Sequence, residues 1–156
     1  MKKSLALGAA LCACAIAMGG GKPLVNVPKY DGKFVWVKVG ALPSESAKTL
    51  ASAKSILLDV SFPRDVKMKN DKSGYPWFTF VVADQGSDFK WHQTTGGAVM
   101  PVAGGVIRAG KYTVSVSVTG IPKSVLSDKT QIISVGPGTS GISGPCSFSI
   151  DRIRGR

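Results

Sequence analysis

The chain ends on Cys146-Ser147-Phe148-Ser149-Ile150-Asp151-Arg152-Ile153-Arg154, in which apolar residues alternate with short polar ones and one carboxylate is set among them. Alternation of this kind puts successive side chains on opposite faces of an extended strand, and such a strand is stable only when paired inside a sheet. The fold is therefore expected to close on a β-strand at its C-terminus.

Working back along the chain, six further segments, 34–39, 55–62, 77–84, 89–93, 111–118 and 131–135, carry β-branched or aromatic residues between Gly, Pro, Asn and Asp breaks. With 146–153 they predict an all-β, antiparallel sandwich or barrel. Only residues 44–55 have helical spacing, with Ser44 as N-cap and Ala47, Leu50, Ala51 and Lys54 on one side. A second single turn is expected over 122–126. The predicted core faces are Ile56, Leu58, Val60 and Phe62; Tyr112, Val114, Val116 and Val118; and Phe148 with Ile150.

The first 18 residues read separately. Met1-Lys2-Lys3 supplies a positive start and residues 5–18 an uncharged apolar run, the pattern of a bacterial-type export signal. Cleavage fits after Ala13-Cys14-Ala15 or Ala15-Ile16-Ala17. Leu11-Cys12-Ala13-Cys14 also resembles a lipobox with Cys14 as the acylated residue, so the expected location is secreted or anchored at the cell envelope. Residues 19–29 read as a short linker and 30–156 as one domain. Without Lys2 and Lys3 the formal charge falls from +11 to +9, over roughly 135–140 residues. Cys146 is then left without an intramolecular partner and reads as a buried small hydrophobe.

Composition argues against catalysis. His92 is the sole histidine and Glu45 the sole glutamate, so multi-imidazole metal sites and two-histidine relays are excluded. No Gly-x-Ser-x-Gly elbow occurs, and no aspartate lies in a segment that suggests a paired-carboxylate hydrolase. The pairs Gly96-Gly97 and Gly104-Gly105 and the stretch 136–144 lack the Lys-Ser/Thr ending of a phosphate loop and read as connections.

Binding is the better expectation. If Phe78, Phe80 and Val82 fill the core, Trp77 points outward beside Thr79, with Tyr75 just ahead of it; Trp91 and His92 sit on a second short polar strand, and Trp36 shares a face with Lys38. Flat rings beside short polar side chains suit a sugar, which offers C–H faces to stack and hydroxyls to hydrogen-bond. The lysines are spread along the chain. That spread favours general attraction to acidic envelope polymers over sequence-specific nucleic-acid reading.

Three stretches carry a family resemblance: residues 53–63, Gly110-Lys111-Tyr112-Thr113-Val114-Ser115-Val116, and Phe148-Ser149-Ile150-Asp151-Arg152-Ile153. They resemble the second, middle and last strands of jelly-roll carbohydrate-binding modules with a galactose-binding-like fold, of the kind appended to bacterial glycanases. The resemblance covers about residues 34–153 and implies non-catalytic binding of a polysaccharide of β-glucan or mannan type. Trp77, Trp91 and Tyr75 would stack on sugar rings, and His92, Asp59, Gln93, Thr113 and Ser115 would meet hydroxyls. It also implies a structural Ca²⁺ between Asp31 and Asp151, a thin complement for an ion that takes six to eight oxygens. The competing expectation is an exported structural or adhesive surface protein, or a binder of acidic envelope polymers, without a sugar pocket.

Overall fold

The computed structural model describes residues 22–69, 77–84, 91–94, 98–100, 102–127, 132–140 and 142–156. The export segment, Tyr75 and Phe89 lie outside these residues. In chain order the strands are β1 (Val25–Val27), β2 (Val35–Lys38), β3 (Ser55–Phe62), β4 (Val66–Lys67), β5 (Trp77–Asp84), β6 (His92–Gln93), β7 (Ala98–Val99), β8 (Val106–Ile107), β9 (Gly110–Ser117), β10 (Ile132–Ser140) and β11 (Phe148–Gly155). A 3₁₀ turn (Val39–Ala41) and helix α1 (Ser44–Leu50) join β2 to β3, and helix α2 (Lys123–Ser127) joins β9 to β10. No described helix is long and apolar enough to cross a membrane.

All strand pairings are antiparallel. One sheet has the order β1-β11-β3-β9; a second has the order β2-β10-β5-β6, with β7 also on β5; β4 and β8 form a small ribbon. The all-β expectation is thus met. The C-terminal strand is paired on both sides, by β1 and β3, as its alternation requires.

Core positions follow the period-2 reading. Ile56, Leu58, Val60 and Phe62 are buried, as are Val114 and Val116 of β9 and Phe148 and Ile150 of β11. They join Val37 of β2 and Val82 of β5 in one hydrophobic cluster, so both large sheets contribute to the same core. Rings thread through it: Tyr30 lies 5.8 Å from Phe148, Phe148 6.1 Å from Phe62, and Phe62 6.0 Å from Tyr112. Burying these surfaces at about 25 cal/mol per Å² is the main stabilising term. Cys146 is buried and free, and burial pushes its thiol up to about 11, which makes it inert.

Three local features depart from the sequence reading. Val25–Val27, placed by the sequence reading in a linker, pairs with Phe148–Ile150, because β11 needs a partner on its outer edge. Helix α1 is shorter than residues 44–55, and Pro43, not Ser44, occupies the cap position, with no side-chain cap bond. It stops because the sheet takes the next residues: Lys54 and Ser55 donate their N–H groups to Arg156. The third is a bulge in β11. Ile150 pairs with Val60 and Arg152 pairs with Asp59, so Asp151 is the extra residue. Strict alternation from Phe148 and Ile150 would send Arg152 inward and Ile153 outward. The bulge resets the phase, and Ile153 is 1% exposed while Arg152 faces solvent.

Helix α1 rests on the end of β11. Gly155 donates its N–H to Thr49 Oγ1 (2.9 Å), which in turn donates to the Ser46 carbonyl (2.8 Å). A β-carbon at position 155 would stand 2.1 Å from the Thr49 carbonyl oxygen, so only glycine permits this approach. At the far end of the sheet, Asp65 accepts from Arg108 Nη1 and the Ala109 N–H, each 2.8 Å, and ties the β3–β4 connection to the start of β9. The Ala109 amide and then the guanidinium hold its carboxyl below the usual range.

Candidate functional site

The outer faces of the two large sheets have different chemistry. On the first sheet, Asp59 and Ser61 of β3, Thr113 and Ser115 of β9, and Ser149, Asp151, Arg152 and Arg154 of β11 all lie away from the core. These groups mostly satisfy one another. Thr113 donates to Asp59 Oδ1 (2.7 Å), Arg154 donates to Asp59 Oδ2, and Arg152 Nε lies 3.9 Å from that same oxygen. Partial burial works to raise the Asp59 carboxyl, but the hydrogen bonds from Arg154 and Thr113 and the two guanidinium charges outweigh it, and Asp59 titrates below the usual range. Asp151 accepts from Ser61 (2.5 Å) and Ser149 (2.7 Å), one hydroxyl on each carboxylate oxygen. Beside this network a groove of about 450 Å³ runs between α1 and the bulged part of β11, lined by Lys22, Leu24, Glu45, Thr49 and residues 151–154.

Asp31, the other residue expected at a calcium site, sits in the loop before β2. It accepts the Lys33 N–H (3.0 Å) and pairs with Lys33 Nζ (3.4 Å), and the backbone N–H is the first cause that holds its carboxyl low. Calcium bound through both Asp31 and Asp151 would require each to exchange its present partners and to recruit further oxygens. Among the described residues no three His, Cys, Asp or Glu side chains come together.

The second sheet carries aromatics. Phe34, Trp36 and Trp91 are 39%, 48% and 47% exposed, the large exposed hydrophobics among the described residues. They form one cluster: the Trp91 ring lies 6.3 Å from Phe34, tilted by 53°, and 6.2 Å from Trp36 at 85°, an edge-to-face contact. Its construction is not local. Trp36 belongs to β2 and Trp91 leads into β6, with β10 and β5 between them. Three strand spacings are about 14 Å, so the two rings must reach toward each other across the sheet. The register shows why they can. Trp36 is opposite Ser134, Ser134 opposite Ala83, and Ala83 opposite Gln93, so both intervening positions hold small residues. Ala83 has no solvent exposure although it shares this outer row, as expected of a residue roofed by the rings.

Polar groups at the cluster are few. Trp91 donates its indole N–H to Gln93 Oε1 (3.0 Å). Because an indole nitrogen only donates, this bond fixes the Gln93 amide with its nitrogen, and that nitrogen's two donors, on the other side. Lys38 follows Trp36 on the same exposed face of β2.

The expected binding residues thus fall into two groups. Trp91 and Gln93 meet at the aromatic cluster, and position 77 has the row parity of Ala83 along β5, the parity of Trp36. His92 has the opposite parity, in the row of Asp84, Ile133 and Val37, and is half-buried. Asp59, Thr113 and Ser115 belong to the other sheet and do not join them. Phe34 was not anticipated as a site residue, and Trp36 was expected as an outward ring beside Lys38 but not among the binding residues. The alternation Phe34-x-Trp36-x-Lys38 was the available signal for both. Compared with protein-family models, with curated proteins and with solved structures, the chain matches none.

Proposed function

We propose that this protein is an exported, non-catalytic glycan-binding module, a β-sandwich of jelly-roll type, whose binding surface is the outer face of the β2-β10-β5-β6 sheet. The observation that carries the reading is the exposed cluster of Phe34, Trp36 and Trp91. Two half-exposed indoles held at a fixed mutual angle cost an unliganded protein solvent-exposed apolar area, and a pyranose covers such area with its C–H face. The row positions between them, 134 and 83, hold small residues, and both indoles stay half-exposed. The hydroxyl-rich face of the other sheet supports the reading less, because Asp59 and Asp151 are already bonded by their neighbours.

Retention on immobilised polysaccharides, with soluble oligosaccharide as competitor, tests this. Trp36→Ala and Trp91→Ala are each expected to weaken binding by about 1–3 kcal/mol while the fold persists. A folded parent that no polysaccharide retains would transfer support to an assembly or adhesion role for the same patch.

A further inference from the structure

Resting on the glycan reading, we infer that the aromatic face selects acidic glycans, with Lys38 as the residue that reads the sugar carboxylate. Among the described side chains at this face, Gln93 and Lys38 present open donors. Gln93 gives one lone pair of its carboxamide oxygen to Trp91, which leaves its amide nitrogen with two open donors, and Trp91 spends its N–H in that same bond. Lys38 stands two residues beyond Trp36 on the same exposed side of β2, about 7 Å along the strand. It has no ion-pair or hydrogen-bond partner among the described residues.

No described carboxylate competes for it. Asp31 is bound to Lys33, and Asp84 takes the opposite row parity on β5. A neutral sugar offers hydroxyls that both donate and accept, and among the described side chains its donors would find only the second lone pair of Gln93 Oε1. A carboxylate only accepts, and it matches a face of donors that ends in an ammonium. A uronate ring stacked on Trp36 brings its carboxylate within reach of the flexible Lys38 stem. The formal charge, +11 for the whole chain and +9 without Lys2 and Lys3, adds long-range attraction of the same sign.

The test uses affinity electrophoresis in gels that contain polygalacturonate or alginate, and in matched gels that contain the same polymers after carboxyl reduction. The full chain is expected to be retarded by the acids roughly tenfold more strongly than by the reduced forms, with the difference shrinking as salt rises. Lys38→Gln is expected to remove most of that difference. Lys123→Gln on α2, which removes the same charge elsewhere, is expected to match the parent. Equal retardation by acid and reduced polymer overturns the acidic preference and leaves the glycan reading standing. Equal losses in Lys38→Gln and Lys123→Gln also overturn the inference, in favour of bulk charge. If Trp36→Ala behaves as the parent on every polymer, the glycan reading itself falls, and the assignment of Lys38 falls with it.

Discussion

Arg152, not Asp151, is the residue paired with Asp59 across β3 and β11. One inserted residue lets two outward side chains follow each other in β11 and returns Ile153 to the core. The same insertion places Asp151 between Ser61 and Ser149, clear of the two arginines that share Asp59.

Deleting Asp151 leaves an alternation that still buries Phe148, Ile150 and Ile153, so that variant is expected to fold. Its cost is about 1–2 kcal/mol, from the lost Ser61 and Ser149 bonds. Deleting Ser149 instead forces one of Phe148 and Ile150 out of the core, and no cooperative melt is expected. Thermal denaturation followed by circular dichroism compares the two. Equal behaviour would contradict the role given to the bulge.

Asp59 links stability to acid. Its folded pKa is depressed below the unbonded value of 3.8, so the stabilisation is complete well above that value. It is lost as pH falls through the lower folded value. Arg154→Ala is expected to cost about 1–2 kcal/mol at neutral pH and to flatten the stability curve below about pH 4. Urea melts between pH 2.5 and 6 measure this; a variant curve parallel to the parent's would remove Arg154 as the cause.

The roof over Ala83 is testable without any ligand. Ala83→Leu adds volume beneath the Trp36 and Trp91 rings, and it is expected to cost about 1–3 kcal/mol. The 85° contact is expected to give the parent a coupled tryptophan signal in circular dichroism, and the variant, with its rings separated, is expected to lose it. An unchanged coupled signal would mean that the rings do not lie over this position.

At the α1–β11 contact, Gly155→Ala must displace the helix, because the new methyl would meet the Thr49 carbonyl at 2.1 Å. A loss of at least about 2 kcal/mol is expected. Thr49→Ala, which removes the Oγ1 that accepts from the Gly155 N–H and donates to the Ser46 carbonyl but creates no clash, should cost less, about 1 kcal/mol. Chemical denaturation of both variants gives the order, and the reverse order would refute the steric argument.

Much of this architecture was legible in local pattern. The period-2 runs at 55–62, 111–118 and 146–153 marked three strands of one sheet and their buried faces, because side-chain alternation is a property of each strand alone. The buried state of Cys146 was legible on other grounds, since a cysteine without an intramolecular partner packs as a small hydrophobe. The short strands Val25–Val27, Val66–Lys67, Ala98–Val99 and Val106–Ile107 were not read, since two or three residues carry no period. At Gly104-Gly105, read as a connection, both glycines have positive φ, and Ala103 and Val106 exchange backbone hydrogen bonds across them.

The sequence by itself determined which residues alternate and therefore which side of each strand is apolar. Tertiary structure decided what those strands lie beside. Phe34, Trp36 and Trp91 became one surface because β2 and β6 flank β10 and β5 with small residues in the intervening row. Asp59, Thr113 and Ser115 were set on a different sheet from them. Alternation is encoded within a few consecutive residues, whereas sheet order and a register-resetting bulge depend on pairing between segments far apart in the chain, which no local pattern records.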